Sequence, residues 1–284
     1  MKNILFADSG GTKCEWCFIA EGKQKKFTTE GLSPYFLSSD AIQLVIHKKV
    51  LPRLKNIRPD NIYFYGTGLG IKANKLLLRK ILKSAFPQSA IEADTDILGA
   101  ARSLCGHEKG NVCILGTGSN CCSYNGKKIT MNFPGLGYVL GDEGSGAYMG
   151  KKVIQYYLND IFDTALKTAF DQRFSLSKQQ ILNAVYKQEK PNHFLAGFAY
   201  FLLEHRGHYL IENIIEDALN DFFLQHVSRL KACTKYPLHF TGSVAYFFRD
   251  KIKEMAYNYN MQTGNIVQKP MDGLIQFHIK KSAR

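Results

Sequence analysis

The chain has 284 residues, of which 45% are hydrophobic, 12% aromatic and 21% charged. This apolar content, with only 8 prolines beside 24 glycines, excludes intrinsic disorder and a collagen-like repeat. Lysine and arginine outnumber aspartate and glutamate by 37 to 24, so the formal net charge is +13. Because single hydrophobic cores stop growing at about this size, the length favours two domains.

The positive charge does not indicate nucleic-acid binding. The basic residues form short doublets spread along the chain instead of one stripe with interleaved aromatic side chains. We therefore expect a solvated basic surface that attracts anionic ligands, and no nucleic-acid partner. The doublets are Lys25 and Lys26, Lys48 and Lys49, Lys127 and Lys128, Lys151 and Lys152, and Lys280 and Lys281.

The sequence predicts a cytoplasmic protein without a membrane partner. No stretch approaches the ~18 to 20 consecutive apolar residues of a membrane span, and the first residues lack the apolar run of a signal peptide. Seven cysteines, an odd number, are better explained as buried thiols than as a disulfide framework. Cys14 and Cys17 are spaced as CxxC, but residues three apart on a strand point to opposite faces, which argues against a zinc site.

A strand, glycine turn, strand unit occurs twice in the chain. The first copy spans residues 4–19 and the second spans residues 112–124. The two copies begin 108 positions apart, and such repetition predicts two related domains. We place them at residues 1–107 and 108–284, with a helical insertion in the second and the last helix packing back on the first.

Strands and helices alternate along the rest of the chain, which predicts an α/β fold class. The predicted elements in chain order are helix 41–54, strand 61–65, a glycine turn at 66–70, helix 74–85, strand 90–93, helix 97–104, helices 144–158, 177–188, 194–203 and 210–231, strand 236–241, and a helix that ends at Tyr257.

The first glycine turn predicts a phosphate site. Gly10 and Gly11 leave their backbone N–H groups open to phosphate oxygens, and Thr12 adds a hydroxyl donor. Asp8, at the end of the strand, can hold Mg²⁺ through water, because this ion keeps much of its hydration shell. A tight hairpin with a turn-forming aspartate is the alternative interpretation.

The second glycine turn, with Gly116, Thr117 and Gly118, has the same open backbone. Two such turns from duplicated domains can face each other across a cleft and hold one polyphosphate. The sequence contains neither a Walker A loop nor a GxGxxG motif between a strand and a helix. A nucleotide site in this chain must therefore be of another type.

Acidic residues near strand and helix ends are candidates for substrate binding and catalysis. In the glycine-rich segment 135–146, Asp142 can accept hydrogen bonds from hydroxyl groups, or Asp142 or Ser145 can cap the following helix. Asp94 and Asp96 follow a short strand, where either can act as the base in phosphoryl transfer or as a helix cap. The residues alone leave these alternatives open.

Several motifs together resemble the sugar kinase, chaperone and actin superfamily, and within it the N-acetylglucosamine kinases and the BadF/BadG/BcrA/BcrD-type ATPases. The motifs are FADSGGTK (6–13), GLSPY (31–35), GTG (66–68), DILGAA (96–101), ILGTGSNC (114–121), GLGYVLGDEGSG (135–146) and TGSVA (241–245). The combination of GTGSNC with GDEGSG at this separation is the most specific part of the resemblance.

The resemblance implies two ribonuclease-H-like (actin-like ATPase) domains with ATP and Mg²⁺ in the cleft between them. It implies an ATP-dependent kinase that phosphorylates a hydroxyl, expected to be the 6-hydroxyl, of an amino sugar such as N-acetylglucosamine. Asp96 aligns with the general base. The implied ATP-binding residues are Gly10, Gly11, Thr12, Lys13, Gly116, Thr117, Gly118, Gly242 and Ser243, and the implied sugar-binding residues are Asn120, Gly137, Asp142 and Thr67.

Three positions depart from the family pattern. Ser9 replaces a glycine of the first turn, Tyr35 stands at an asparagine position near the sugar, and Leu136 stands at a tryptophan position. The identity of the sugar therefore stays open, and so does the choice between a monomer and a homodimer.

Two other functions are alternatives to a kinase. One is an activator ATPase for a redox enzyme, with an iron–sulfur cluster on cysteines such as Cys105, Cys121 or Cys122, although no cluster spacing is evident. The other is a sugar sensor that has lost turnover, against which the retained Asp96 and Asp142 argue.

Overall fold

The computed structural model describes residues 2–133, 135–230 and 232–282, and side chains as far as Ile279. The side chains of the predicted Lys280 and Lys281 doublet lie outside this range. The chain forms two compact units. Unit 1 contains Met1–Glu108, Gly126–Lys128 and Lys269–Arg284, and unit 2 contains Lys109–Asn125 and Ile129–Gln268. Within the described residues, no helix has both the length and the apolar character needed to cross a bilayer.

Unit 1 is built on a five-stranded mixed sheet in the order β3-β2-β1-β4-β5. The first three strands are antiparallel neighbours, and β4 and β5 run parallel to β1. The strands are β1 (Ile4–Ser9), β2 (Lys13–Ala20), β3 (Lys23–Glu30), β4 (Asn61–Gly66) and β5 (Ala90–Thr95).

Helices cover both faces of this sheet because β1 carries apolar side chains on both sides. Leu5 and Ala7 belong to the hydrophobic cluster that includes residues of α1 (Ser39–Val45) and α2 (Lys72–Ala85). Ile4 and Phe6 pack on the opposite face against Met271 and Ile275 of the last helix. The last helix of the chain is α13 (Met271–Ser282). The same face of the sheet also carries α3 (Asp96–Cys105).

Unit 2 repeats the same sheet. The strand order is β10-β9-β6-β7-β8. β7 is antiparallel to β6, and β8 is antiparallel to β7, whereas β9 and β10 run parallel to β6. The strands are β6 (Lys109–Leu115), β7 (Ser119–Asn125), β8 (Ile129–Asn132), β9 (Leu238–Thr241) and β10 (Thr263–Val267). Two mixed sheets with flanking helices confirm the predicted α/β fold class.

Between β8 and β9, unit 2 carries a series of helices whose apolar faces form one large core with the sheet. Buried phenylalanines such as Phe170, Phe201 and Phe222 fill this core. The helices of unit 2 are α4 (Gly137–Leu140), α5 (Gly146–Leu158), α6 (Thr164–Phe174), α7 (Lys178–Tyr186), α8 (Pro191–Gly197), α9 (Ala199–Glu204), α10 (Tyr209–Gln225), α11 (Ser243–Phe247) and α12 (Arg249–Asn258).

Three strands were absent from the sequence-based predictions, and each lies at the edge of a sheet. Among the strands that the structure describes, β3, β8 and β10 each have one neighbouring strand, so fewer of their side chains are buried. In β3 the first four residues are exposed, and Phe27 and Thr29 are its buried side chains. Edge strands of this kind carry polar residues, which hides the alternation by which a strand is detected.

Several predicted helices have different bounds. Helix 41–54 divides after α1 into a wide helical turn at Ile46–Val50 and a tight one at Leu51–Leu54, where Pro52 cannot donate a backbone hydrogen bond. Helix 194–203 divides between α8 and α9. The helix predicted for 210–231 ends earlier, at Gln225, and its predicted end at Lys231 lies outside the described residues.

We predict that Gly99→Ala destabilises the protein by about 1–3 kcal/mol, because overpacking a closed site costs this much. A Cβ atom at Gly99, in α3, would lie 2.7 Å from Cγ of Tyr65. Gly197→Ala, in α8, is the matched control, since a Cβ atom there meets no atom within 4 Å. Thermal unfolding of both variants checks the prediction, and equal stabilities would contradict it.

Candidate functional site

In unit 1, the predicted site residues lie at the edge of the sheet where the parallel strands end. The register sets Asp8 of β1 beside Tyr65 of β4, and Tyr65 beside Asp94 of β5. Thr67 follows β4 and Asp96 follows β5, so both come directly after the same edge. In open α/β sheets this is the edge at which ligands bind.

Asp96 is the first residue of α3, and its carboxylate is held from two sides. Its Oδ1 atom accepts a hydrogen bond of 2.8 Å from the backbone N–H of Ile97. The Thr67 side chain also forms a hydrogen bond with it. Burial raises the pKa of Asp96 to about 6, although these hydrogen bonds favour the charged form. The carboxyl group is therefore poised to take up a proton near neutral pH.

Asp8 has an even more perturbed acidity. Burial, followed by the negative charges of Asp96 and Glu15, raises the pKa of Asp8 to about 7. Two acids that titrate near neutral pH at one sheet edge would be stabilised by a cation. This donor chemistry fits Mg²⁺, with Asp8 as the holding residue, but water and phosphate must supply the remaining ligands. The described residues contain no group of three or more His, Cys, Asp or Glu side chains arranged for a metal ion.

The structure separates the roles of Asp94 and Asp96, which the residues alone left open. The Asp94 carboxylate forms an ion pair of 2.9 Å with Lys75. Neither aspartate caps α3, because the cap is Thr95, whose hydroxyl oxygen accepts a hydrogen bond of 3.3 Å from the backbone N–H of Leu98. Asp94 is thus neutralised by a partner, and the assignment of Asp96 as the base stays a prediction that this geometry favours.

The turn between β1 and β2 contains Gly10, Gly11, Thr12 and Lys13. It is closed by a hydrogen bond of 3.0 Å from the N–H of Gly10 to the carbonyl of Lys13. The N–H of Gly31 donates to the carbonyl of Thr12 at 2.7 Å, and a Cβ atom at Gly31 would collide with the backbone of Gly10 and Gly11. The backbone of the turn therefore packs against the backbone at Gly31, directly after β3.

Ser9, the departure from the family pattern in this turn, has a structural role. Its side chain is fully buried, accepts a hydrogen bond of 2.8 Å from the N–H of Leu32 and donates one of 3.3 Å to the carbonyl of Gly10. The serine thus links the turn to the chain after β3, which a glycine would not do. This role of Ser9 was not predicted from the sequence.

In unit 2, the second glycine turn lies against the start of α5. The N–H of Gly116 donates to the carbonyl of Gly118 at 3.0 Å, which closes the turn. The carbonyls of Gly116 and Thr117 accept hydrogen bonds from the N–H groups of Gly146 and Ala147, at 2.8 and 3.1 Å. The backbone of this turn is therefore fixed by α5, and no side chain of its own is required.

Gly242 approaches the same turn closely. Its φ is +118°, a conformation that favours glycine, and a Cβ atom there would collide with the carbonyl of Leu115 at the end of β6. Ser243 begins α11. The neighbouring Thr241 is buried and its hydroxyl has no hydrogen-bond partner among the described residues. This buried hydroxyl comes directly before Gly242 and Ser243, which the family resemblance implies as ATP-binding residues.

Within unit 2, the Asp142 carboxylate lies against the second glycine turn. Its Oδ1 atom accepts a hydrogen bond of 3.4 Å from the N–H of Ser119, and a Cβ atom at Gly118 would lie 3.0 Å from its Oδ2 atom. Asp142 has a φ of +58°, which is uncommon outside glycine, and burial raises its pKa. The cap of α5 is Ser145, so Asp142 does not have a capping role.

Asn120 and Gly137 complete the predicted sugar-binding set. The Oδ1 atom of Asn120 is buried and has no hydrogen-bond partner among the described residues. A buried amide oxygen without a partner costs free energy, which a sugar hydroxyl would recover. Gly137 has a φ of +76° and begins the short helix α4, next to the exposed Leu136.

The contact between Glu143, the acid next to Asp142, and His226 was not predicted. The Oε2 atom of Glu143, which is buried, lies 2.7 Å from Nε2 of His226 in α10. A Cβ atom at Gly144 would lie 2.8 Å from the Cβ of Phe222 in the same helix. These contacts hold the strained chain around Asp142. The two partners are 83 positions apart, so no local pattern could reveal the pair.

Six of the seven cysteines are buried, and Cys233 is half-buried. Cys14 and Cys17 belong to hydrophobic clusters on opposite faces of the unit 1 sheet, as the strand spacing predicted. Cys121 lies in the core of unit 2, and burial raises the pKa of both Cys121 and Cys105 to about 12. All seven cysteines are free thiols.

Comparison with protein families gives a match to the model of the BadF/BadG/BcrA/BcrD ATPase family over residues 7–274. The chain belongs to this family. The match confirms the resemblance seen in the glycine turns and in the DILGAA and GDEGSG motifs. A comparison with curated proteins found no match.

Solved structures similar to this family member include two titled "putative N-acetylglucosamine kinase". The protein from Porphyromonas gingivalis is 38% identical, with a TM-score of 0.94 over 98% of this chain and 99% of that chain. The protein from Chromobacterium violaceum is 15% identical, with a TM-score of 0.76 over 98% and 99%. A ROK family glucokinase from Streptomyces griseus, in complex with glucose and AMPPNP, is 12% identical with a TM-score of 0.57 over 96% and 97%, which shows the fold alone.

We predict that Asp8→Asn stabilises the protein at pH 8 by about 1–3 kcal/mol in EDTA, and not at pH 4. The folded state raises the pKa of Asp8 from 3.8 to about 7, so folding favours the protonated acid and stability is lost as pH rises through this range. An asparagine cannot ionise and avoids that loss. Thermal unfolding at both pH values measures the effect.

The matched control is Asp40→Asn, which removes an exposed carboxylate in unit 1. We expect no stabilisation that grows with pH in this variant. An Asp8→Asn variant that is no more stable than the wild type at pH 8 would contradict the assigned acidity.

Proposed function

We propose that this protein is an ATP-dependent kinase that transfers the γ-phosphoryl group to a hydroxyl of an amino sugar such as N-acetylglucosamine. The observation that carries the proposal is the state of Asp96. It is a carboxylate at the ligand-binding edge of the sheet, with a pKa raised to about 6 and with Thr67 beside it. The similarity to the Porphyromonas gingivalis protein over nearly the whole chain supports the choice of an amino sugar.

The chemistry is a phosphoryl transfer to an alcohol. The sugar hydroxyl oxygen forms a bond to the γ-phosphorus, the bond from phosphorus to the bridging oxygen breaks, and ADP leaves. Asp96 accepts the proton of the hydroxyl during the transfer. A base with a pKa near 6 suits this step, because it is ionised at neutral pH and yet retains proton affinity. Thr67 orients its carboxylate.

The glycine turns bind the phosphates. The N–H groups of Gly10 and Gly116 close the turns, so the phosphate oxygens accept hydrogen bonds from the other backbone N–H groups of the turns. Lys13, which is exposed, contributes positive charge. Asp8 is the residue that would hold Mg²⁺, and the ion would neutralise the charge of the phosphates when bound. Gly242 lets the adenosine approach the backbone, and Thr241 and Ser243 offer hydroxyl groups.

The sugar is recognised by polar groups that are already held in place. Asp142 accepts hydrogen bonds from sugar hydroxyls. The Oδ1 atom of Asn120, which has no partner within the described part of the chain, accepts another. The 6-hydroxyl is the acceptor we propose, because it is the primary alcohol of the sugar and the least hindered nucleophile. Leu136 and Tyr35, both exposed, stand where the family pattern has other residues and are the positions we expect to tune sugar preference.

We predict that Asp96→Asn lowers the turnover of ATP in the presence of N-acetylglucosamine by about 10²–10⁴-fold, the usual contribution of a general base. ATP affinity should change little, because the substitution preserves size and the contact with Ile97. Asp94→Asn is the matched control: it removes a carboxylate at the same edge that is already paired with Lys75, and it should cost less than about tenfold. Coupled ADP release measures both.

A panel of amino sugars and neutral hexoses in the same assay tests the substrate class. Sugar-dependent ADP release is the expected result. ATP hydrolysis that is unaffected by every sugar would contradict the kinase and favour the activator ATPase, and ATP or sugar binding without ADP release would favour a sensor. Equal turnover in the Asp96→Asn variant and the wild type would overturn the role of Asp96.

A further inference from the structure

A buried polar cluster lies behind the active-site edge of unit 1, and the chemistry above does not use it. Its centre is the hydroxyl of Tyr65, a fully buried residue of β4 that lies beside Asp8 in the strand register. The hydroxyl oxygen is 2.7 Å from Nε2 of His278 in α13 and 2.6 Å from Nη1 of Arg102 in α3. One hydroxyl thus contacts two helices.

The donors and acceptors in this cluster can be assigned from their chemistry. Arg102 has no acceptor atom and does not lose its proton, so it donates to the Tyr65 oxygen. Burial raises the pKa of Tyr65, so its hydroxyl keeps its hydrogen. That hydrogen is therefore donated to Nε2 of His278, which must be an unprotonated nitrogen. His278 acts as an acceptor that fixes the direction of the Tyr65 hydroxyl.

The same contacts join α13 to α3. Arg102 also forms an ion pair with Glu92 of β5. The Ser103 hydroxyl donates to the carbonyl of Pro270 at 2.7 Å, and a Cβ atom at Gly273 would collide with the backbone of Ser103. The two helices therefore cross with their backbones in close approach, and the position of α3 depends on α13.

The first residue of α3 is Asp96, and the Tyr65 ring packs on Gly99, one turn further along the helix. We propose that His278 is a positioning residue for Asp96. His278 acts on Asp96 indirectly, through the Tyr65 hydroxyl and α3. This inference rests on the proposed function, since it assigns a role in holding the base of that reaction. This role also gives a reason for the polar cluster between the sheet and the helices, where apolar side chains alone could fill the space.

The competing explanation is that His278 only stabilises the core. Its imidazole is buried and stacks on Tyr63 with 3.7 Å between the ring centroids. Loss of that stacking would destabilise the protein whether or not Asp96 moves. The test must therefore separate the hydrogen bond from the packing and must include a variant that destabilises α13 without touching Tyr65.

The test compares His278→Leu, His278→Gln and Ile275→Ala in the full chain. Leucine removes the acceptor, whereas the glutamine side chain retains an oxygen that can accept from Tyr65. Ile275 packs against β1 from the same helix, so its truncation weakens α13 packing and leaves the Tyr65 hydroxyl contacts in place. The readouts are kcat and the KM for ATP with an amino sugar, the melting temperature, and hydrogen exchange at the amides of Ile97 and Leu98 without ligands.

We expect His278→Leu to lower kcat about tenfold, since small displacements of a catalytic group have effects of this size or larger. The KM for ATP should stay unchanged, and exchange should be faster at the first turn of α3, where Asp96 and Thr95 accept from the two amides. His278→Gln should restore both kcat and protection. Ile275→Ala should lower the melting temperature without either effect.

Equal losses of kcat in the leucine and glutamine variants, or the same loss in Ile275→Ala, would overturn the proposal in favour of a purely structural histidine. Unchanged exchange at Ile97 and Leu98 in His278→Leu would also overturn it. If the wild type shows no sugar-dependent turnover, the proposed function fails, while the exchange measurement still decides whether His278 positions α3.

Discussion

The partial burial of two carboxyl groups at one sheet edge, Asp8 and Asp96, is the constraint on which the candidate site of unit 1 depends. Asp8 and Asp96 both have raised pKa values, about 7 and about 6, because they lose solvent without gaining an ion pair among the described residues. Such an arrangement costs stability. Asp94 lies at the same edge, one position before the helix cap. Its carboxylate does not carry this cost in stability, because Lys75 neutralises it. Under the proposed function, the raised pKa values of Asp8 and Asp96 are explained by their roles as the Mg²⁺-holding residue and the base.

The two units share one sheet topology but hold their glycine turns in different ways. In each, a glycine turn joins the first two antiparallel strands and is held by backbone contacts from elsewhere in the unit. In unit 1, Ser9 and Gly31 hold the turn. In unit 2, the start of α5 holds it, and Gly242 packs on the end of β6. Backbone donors are thereby fixed in both units without bulky side chains, as phosphate binding requires.

The sequence was sufficient to predict the parts of the site that depend on local pattern. Glycine turns after apolar strands, and acids directly after them, carry their information in adjacent residues, so the fold class and the family could both be predicted. Ser145 and Thr95 show the limit of such reasoning. The sequence left Asp142, Asp94 and Asp96 as possible helix caps, and only the structure shows that Ser145 and Thr95 are the caps.

The parts that escaped prediction depend on long-range contacts or on edge positions. Glu143 and His226 are 83 positions apart, and Tyr65 and His278 are 213 positions apart. Single-sequence reasoning has no signal for pairs of this kind. β3 was missed for a different reason, because an edge strand exposes its side chains and resembles a charged loop in sequence.

The pH dependence of kcat/KM for the sugar tests the central claim most directly. If Asp96 is the base, kcat/KM is flat above pH ~6 and falls about tenfold per pH unit below it, because the protonated acid cannot accept the hydroxyl proton. Thr67→Val removes a hydrogen bond that favours the charged carboxylate, so it should move this limb to higher pH. A profile that stays flat down to pH ~4, the ordinary range of an aspartate, would contradict the account.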